Sequence, residues 1–194
     1  YCLDSSGYAG SNVDISQLTS QESIPLDHPM SVTVPGVVKG WFEMHQQFGK
    51  LSIDEIFRPA IDICYRGFEV STELHHSLSL HKDTLIKQES GTELFPNGET
   101  PKIGAMVKRS LLGKTLKRIS TDGPQYFYTG SVAEKISETL NHVITEDDLR
   151  SFESKWIKPL SIDVYGKTGW VTPPHTQSYP VSYTHLRAHE TVVY

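Results

Sequence analysis

The hydrophobic periodicity of this chain changes abruptly inside Ser31-Val32-Thr33-Val34-Pro35-Gly36-Val37-Val38-Lys39-Gly40-Trp41. Val32 and Val34 alternate as on one face of a short strand, whereas Val37, Val38, Trp41, Met44 and Phe48 recur at helical spacing. Pro35 lies between the two patterns, where its fixed φ suits a first helical turn and its missing N–H ends a strand ladder. Gly36 lets another backbone approach closely, and Gly49 is placed to end the helix in the left-handed conformation. The stretch therefore predicts a strand, a tight turn and a buried helix.

Together with Lys50-Leu51, the stretch resembles the gamma-glutamyltranspeptidases. Their large-subunit region carries a Val-Pro-Gly-x-x-x-Gly-Trp turn and a helix ending in Phe-Gly-Lys-Leu, here Val34-Pro35-Gly36, Gly40-Trp41 and Phe48-Gly49-Lys50-Leu51. The resemblance continues through Phe57-Arg58-Pro59-Ala60-Ile61, Gly67-Phe68-Glu69-Val70-Ser71, Gly123-Pro124 with Phe127-Tyr128, and Thr145-Glu146-Asp147-Asp148-Leu149. It closes at Pro159-Leu160-Ser161 and Pro173-Pro174, covering in order about residues 3 to 179.

That resemblance implies an α+β chain: a helix-rich fragment of the αββα sandwich of N-terminal-nucleophile hydrolases, contributing mainly helices and a few strands. It also implies a precursor that cleaves itself. A Thr then heads the smaller subunit, and its α-amino group acts as base for its own hydroxyl in attacking a γ-glutamyl amide such as glutathione. The acyl group passes to water or an amino acid, and no cofactor is needed. The expected partners are the remainder of the same precursor and a small γ-glutamyl substrate. The nucleophile is expected beyond the point where the resemblance ends. No residue here is assigned a catalytic, substrate-binding or metal-binding role, since every threonine follows Tyr1 and lacks a free α-amino group.

One departure bears on substrate recognition. The family's loop near the start carries an Arg that binds the substrate's α-carboxylate, whereas this chain has Ser5-Ser6-Gly7-Tyr8-Ala9-Gly10. A guanidinium grips a carboxylate with two parallel charge-assisted hydrogen bonds, which Ser6 or Tyr8 cannot reproduce. Two alternatives therefore stand beside the family activity. One is an acylase of the same fold acting on a different amide, and the other is a non-catalytic helical binding module using the basic face around Lys114 to Arg118 with Phe127 and Tyr128.

Local signals order the rest. Residues 1 to 30 are loop with a short helix near Asp14 to Leu18. Ser52 and Glu55 have capping-box spacing ahead of a helix from Ile53, and Pro59 is expected to open a second turn whose stripe is Ala60, Ile61, Cys64 and Tyr65, ended by Gly67. Cys64 belongs to that stripe as a structural thiol, with no adjacent base in the sequence. Ser71 caps a helix expected over Thr72 to Gln88. His75, His76 and His81 lie on it without a carboxylate at a recognised ligand spacing, so no metal is assigned to them. Phe95-Pro96-Asn97-Gly98-Glu99 is a turn. A helix over Ser110 to Thr121 places Leu112, Leu116 and Ile119 on one side and Lys114, Lys117 and Arg118 on a solvated one, before Gly123-Pro124 ends it. Phe127 and Tyr128 are expected in the core. Ser131 with Glu134, and Thr145 with Asp148, repeat the capping spacing. From Trp156, the residues Ile157, Leu160, Ile162, Val164 and Val171 with Gly166 and Gly169 suit a two-stranded hairpin.

A net charge of -5 and a pI near 6.0 provide no general attraction for nucleic acid or anionic membrane. Two cysteines form no disulfide framework and leave the compartment open. The chain starts with Tyr and shows no charged region leading into an apolar one, so the N-terminus is expected to be truncated, with any targeting signal lost. At the other end, Val181-Ser182-Tyr183-Thr184-His185-Leu186-Arg187-Ala188-His189-Glu190-Thr191 departs from the family pattern and resembles a translated sequencing-library adapter. The expected organisation is a partial large-subunit region over residues 1–179 and a non-native tail over residues 180–194.

Overall fold

The computed structural model describes residues 1–20, 22–25, 28–164, 166–173 and 184. In chain order the elements are β1 (Cys2–Asp4), α1 (Ile15–Thr19), α2 (Val37–Phe48), α3 (Ile53–Arg66), β2 (Phe68–Glu69), α4 (Thr72–Leu80), α5 (Lys82–Leu85), α6 (Gly91–Leu94), β3 (Met106–Val107), α7 (Ser110–Asp122), α8 (Gln125–Tyr128), α9 (Gly130–Thr139), α10 (Glu146–Ser151), β4 (Lys155–Ile157), β5 (Leu160–Val164) and β6 (Lys167–Val171). Helices dominate, and the described strands form three antiparallel pairs: β1 with β4, β2 with β3 and β5 with β6. The α+β class is thus as expected. The elements group into two units, residues 1–47 with those from Tyr128 onward, and residues 48–127.

In the first unit the core is Val34, Val38, Tyr128, Ala133, Ile144, Leu149 and Phe152, all buried. The Thr145–Asp148 capping box starts α10 as its spacing predicts, and Leu149 and Phe152 turn inward from it. Several expectations change here. Val32 and Val34 form no named strand; Thr33 makes only an isolated bridge with Ala9, because Pro29–Ser31 is a 3-10 turn that shortens the extended run. The strand of the first thirty residues is instead Cys2–Asp4, whose partner Lys155–Ile157 carries Trp156, so Trp156 and Ile157 belong to that pair and the hairpin begins only at Leu160. Gly166 has φ 70°, as a tight turn between β5 and β6 requires. α9 starts at Gly130 with Thr129 at its N-cap, which puts Ser131 and Glu134 inside the helix rather than at a capping box. Finally, α2 is not a buried helix: only Val38, Lys39 and Gly40 are buried, and Val37, Trp41, Met44 and Phe48 are exposed. Gly49 is absent from the positive-φ glycines, so the helix ends without a left-handed cap there.

The second unit packs α3 against α7. Gly113 is the contact point, since a Cβ there would press on Cys64 and the Tyr65 ring. Ile61, Cys64 and Ile119 are buried around it, while Ala60, Tyr65 and Leu112 stay exposed and Leu116 is half-buried. The Ser52–Glu55 capping box is present, with the Ser52 N–H donating to Glu55 Oε2 at 2.9 Å. Pro59 sits inside the continuous α3 instead of opening a second turn, because the helix tolerates one missing N–H where Ile61 and Cys64 bury its inner face. Gly67 at φ 96° and Gly123 at φ 79° end α3 and α7 as expected. The helix expected over Thr72 to Gln88 breaks at His81, whose φ/ψ of -106°/15° separates α4 from α5. Phe95 is buried ahead of the expected turn, in which Asn97 and Gly98 take positive φ. Among the described residues no helix is long and apolar enough to cross a membrane.

Candidate functional site

Three separated stretches converge on the Ser5–Gly10 loop. The Val34 N–H donates to the Tyr8 carbonyl at 3.0 Å, and a Cβ at Gly7 would overlap the Val34 carbonyl. Gly36 lies so close to the Ser5 carbonyl and the Phe152 ring that a Cβ would overlap both, which is the close approach expected of it. Gly10 similarly abuts the Val143 carbonyl. The loop is therefore clamped between the Pro35-Gly36 turn and the segment leading into α10.

Its side chains are committed to that clamp. The Tyr8 hydroxyl donates to the Asp148 carbonyl at 2.7 Å and lies 3.1 Å from Ser151 Oγ, with its ring 5.9 Å from that of Phe152. The Ser5 hydroxyl donates to Ser154 Oγ at 2.7 Å. The Ser6 N–H donates to Asp4 Oδ1 at 2.9 Å, and its side chain is exposed. Next to the loop, the buried carboxylate of Asp148 accepts from the Ser11 N–H, the Ser11 hydroxyl and the Thr145 N–H, each at 2.9 Å. Burial alone would push its pKa up, but the hydrogen bonds from Ser11 and Thr145 outweigh that and hold it below the usual value.

The Pro35-Gly36 turn has its own brace. Neither residue carries a side-chain acceptor for the first N–H groups of α2, and the wholly buried Tyr128 provides one from a distant part of the chain. Its hydroxyl accepts from the Lys39 N–H at 3.1 Å and donates to the Pro35 carbonyl at 2.7 Å. Burial pushes its pKa up. Phe152 stacks on the Tyr128 ring at 6.0 Å, and the Lys39 ammonium lies 5.8 Å over that ring and 2.8 Å from Glu153 Oε1. Tyr128 thus occupies the core position expected of it; Phe127 is half-buried.

An open depression of about 610 Å³ adjoins the loop, lined by Ser11, Thr145, Asp147, Asp148, Arg150 and Ser151. Arg150 is the only arginine among the described residues of this unit, and it pairs with Asp147 at 2.6 Å. Thr145 lines this depression, yet its nitrogen is a peptide N–H held by Asp148 and its hydroxyl accepts from the Asp148 N–H at 3.1 Å. It has the geometry of a helix cap, not of a nucleophile with its own amine base.

The other singled-out residues lie in the second unit. Burial raises the pKa of the Cys64 thiol more than nearby Arg109 lowers it, which suits the structural role expected of it. His75 Nδ1 is 2.8 Å from the Pro101 carbonyl oxygen. Among the described residues, no group of three or more His, Cys, Asp or Glu side chains could hold a metal ion. In the basic face, Lys117 pairs with Asp54 at 3.4 Å, and Arg118 bonds Asp122 at 2.6 Å while lying 4.9 Å over the Tyr126 ring. Sequence reasoning missed Lys39, Glu153 and the Ser11–Asp148 tie. The one signal for the latter was the Thr145–Asp148 capping spacing, which accounts for only part of the hydrogen bonding at Asp148.

The glutathione hydrolase-like YwrD proenzyme of Bacillus subtilis (strain 168) is 28% identical over 179 residues, which is 90% of this chain and 34% of that protein. Glutathione hydrolase 3 of Arabidopsis thaliana is 33% identical over 149 residues, or 75% of this chain and 23% of its own length. The crystal structure of the Bacillus anthracis transpeptidase CapD, crystal form II, superposes with a TM-score of 0.81 at 26% identity, covering 97% of this chain and 61% of that one. This chain spans about a quarter to a third of the curated relatives it matches. The model of the Gamma-glutamyltranspeptidase family matches residues 1–192, and the chain belongs to that enzymatic family.

Proposed function

We propose that this chain is part of the large-subunit region of an enzyme that transfers or hydrolyses γ-glutamyl groups of glutathione and related amides. The observation that carries this is the convergence of Val34-Pro35-Gly36 and Thr145–Leu149 on the Ser5–Gly10 loop, with Tyr128 bracing the Pro35-Gly36 turn, which brings together in space several of the motifs that the family resemblance rests on. The nucleophile is an N-terminal Thr in the remainder of the precursor, consistent with relatives described as proenzymes. By itself this chain is inactive, because none of its threonines has the free α-amino group that the mechanism needs. Residues 180–194, outside the described part except for Thr184, are a non-native tail. Amplifying the locus across Ser178 tests this, and a native frame that encodes His185-Leu186-Arg187 refutes it.

A second reading, a same-fold acylase acting on another amide, is favoured by the loop itself, where the Tyr8 hydroxyl is tied to α10 and Ser6 provides no cation. The test uses the purified chain and the full-length precursor on a γ-glutamyl anilide, following chromophore release. The expected result is turnover by the precursor and none by the chain. Turnover by the chain that one Thr→Ala substitution abolishes would overturn the inactive-fragment assignment, and a processed precursor that ignores the anilide but cleaves another acyl amide would favour the acylase.

A further inference from the structure

The Pro96–Gly98 turn of the second unit holds an Asn-Gly pair in a conformation that opposes the reaction such pairs undergo. Of the three asparagines in the sequence, Asn12, Asn97 and Asn141, only Asn97 precedes a glycine. With no Cβ on Gly98, its amide nitrogen is unscreened and can reach the side-chain carbonyl carbon of the residue before it. Asn97 is exposed to solvent, and its backbone is left-handed, at φ 59° and ψ 23°. That small ψ sets the Gly98 nitrogen nearly eclipsed with the nitrogen of Asn97 itself, and so turned away from Cβ and the amide it carries. The Gly98 N–H is also engaged, donating to the Phe95 carbonyl at 2.9 Å. Both flanks pin the turn. On one side Phe95 is buried, and its N–H donates to the Gly91 carbonyl at 2.9 Å. On the other Pro101 is buried, and His75 Nδ1 on α4 lies 2.8 Å from its carbonyl oxygen.

We infer that Asn97-Gly98 is a self-modification site gated by this turn, and that the modification makes a transient opening of the second unit permanent. Once the turn opens, the Gly98 nitrogen attacks Asn97 Cγ. The new N–C bond closes a cyclic imide as the bond from Cγ to the amide nitrogen breaks, and the Gly98 proton leaves with the ammonia. Water then adds to either imide carbonyl and reopens the ring. One opening gives aspartate. The other gives isoaspartate, in which the chain runs through Cβ and the former main-chain carbonyl becomes the free carboxylate. No oxidant, reductant or second protein is needed. Isoaspartate lengthens the backbone by one carbon and adds a negative charge close to Glu99. A turn closed by the Gly98–Phe95 hydrogen bond requires regular backbone spacing, so the product cannot re-form it and the segment between Phe95 and Pro101 stays loose.

The test incubates the purified chain at neutral pH with and without denaturing urea, and locates amide loss by peptide mass mapping that separates aspartate from isoaspartate. Asn97 is expected to convert before Asn12 and Asn141, and at least about tenfold faster in urea than in the folded chain, because attack in the folded chain waits on a local opening. His75→Ala removes the Pro101 anchor and leaves Asn97 untouched. It should raise the folded-chain rate by about threefold or more, the worth of one hydrogen bond, with no change in urea. Chain isolated after conversion should melt at a lower temperature than fresh chain. It should also melt below Asn97→Asp, which carries the same charge on a regular backbone. Equal rates in the folded chain and in urea overturn the gating. Conversion at Asn12 or Asn141 ahead of Asn97 overturns the site, and equal melting of converted and fresh chain overturns the permanent opening. Mass and melting temperature are read without any γ-glutamyl substrate, so these outcomes are independent of the proposed activity.

Discussion

Replacing Tyr128 with Phe removes one oxygen from the best-buried ring of the first unit and leaves its volume almost unchanged. That oxygen satisfies two backbone groups at once, the Lys39 N–H in the first turn of α2 and the carbonyl of Pro35. With Tyr128 fully buried, no space is evident through which water could replace the hydroxyl. An orphaned buried group costs about 1–3 kcal/mol, and the bond to the Lys39 N–H is buried while that to the Pro35 carbonyl is only part-buried and costs about 1 kcal/mol; with the stacking of the ring on Phe152 retained, the expected loss is about 2–4 kcal/mol. For a chain of this size each kcal/mol corresponds to about 2–4 °C, so the melting temperature should fall by roughly 4–16 °C. The assay is urea and thermal unfolding of the purified chain followed by circular dichroism, with Tyr126→Phe as a control expected to stay within about 0.5 kcal/mol. A loss below about 0.5 kcal/mol for Tyr128→Phe would refute the idea that this hydroxyl caps α2 from a distance.

Gly36→Val should destabilise the chain by about 3 kcal/mol or more, because its side chain would overlap the Ser5 carbonyl and the Phe152 ring; an unchanged melting temperature would show that the turn is not tightly packed. Asp148 has a folded pKa below its ordinary 3.8, so its stabilising contribution is fully present above that value and is lost as pH falls through the lower folded value. Urea midpoints should therefore drop more steeply between about pH 5 and pH 2 in the wild type than in Asp148→Asn, and parallel profiles would argue against this role. Cys64 should react with a thiol reagent at least about tenfold faster in urea than in the folded chain, because burial raises its pKa and blocks access; equal rates would mean that the α3–α7 contact is open.

What the amino-acid sequence determined by itself is the set of features closed within one turn of chain. Ser52 with Glu55 and Thr145 with Asp148 are capping boxes because donor and acceptor lie three residues apart, and Gly67 and Gly123 end helices because only the local φ decides it. The family was legible for a related reason, since its motifs are short and keep their order along the chain. Contacts between distant segments were not legible. The capping of α2 by Tyr128, the pairing of Cys2 with Ile157 and the tie of Ser11 to Asp148 join residues whose types allow many partners, and packing alone selects among them. Periodicity likewise locates an apolar stripe without saying which way it faces. On α2 the stripe was correctly found and wrongly turned inward, because the side that Val38, Lys39 and Gly40 bury is chosen by Ser5, Tyr128 and Glu153, from segments far away in sequence.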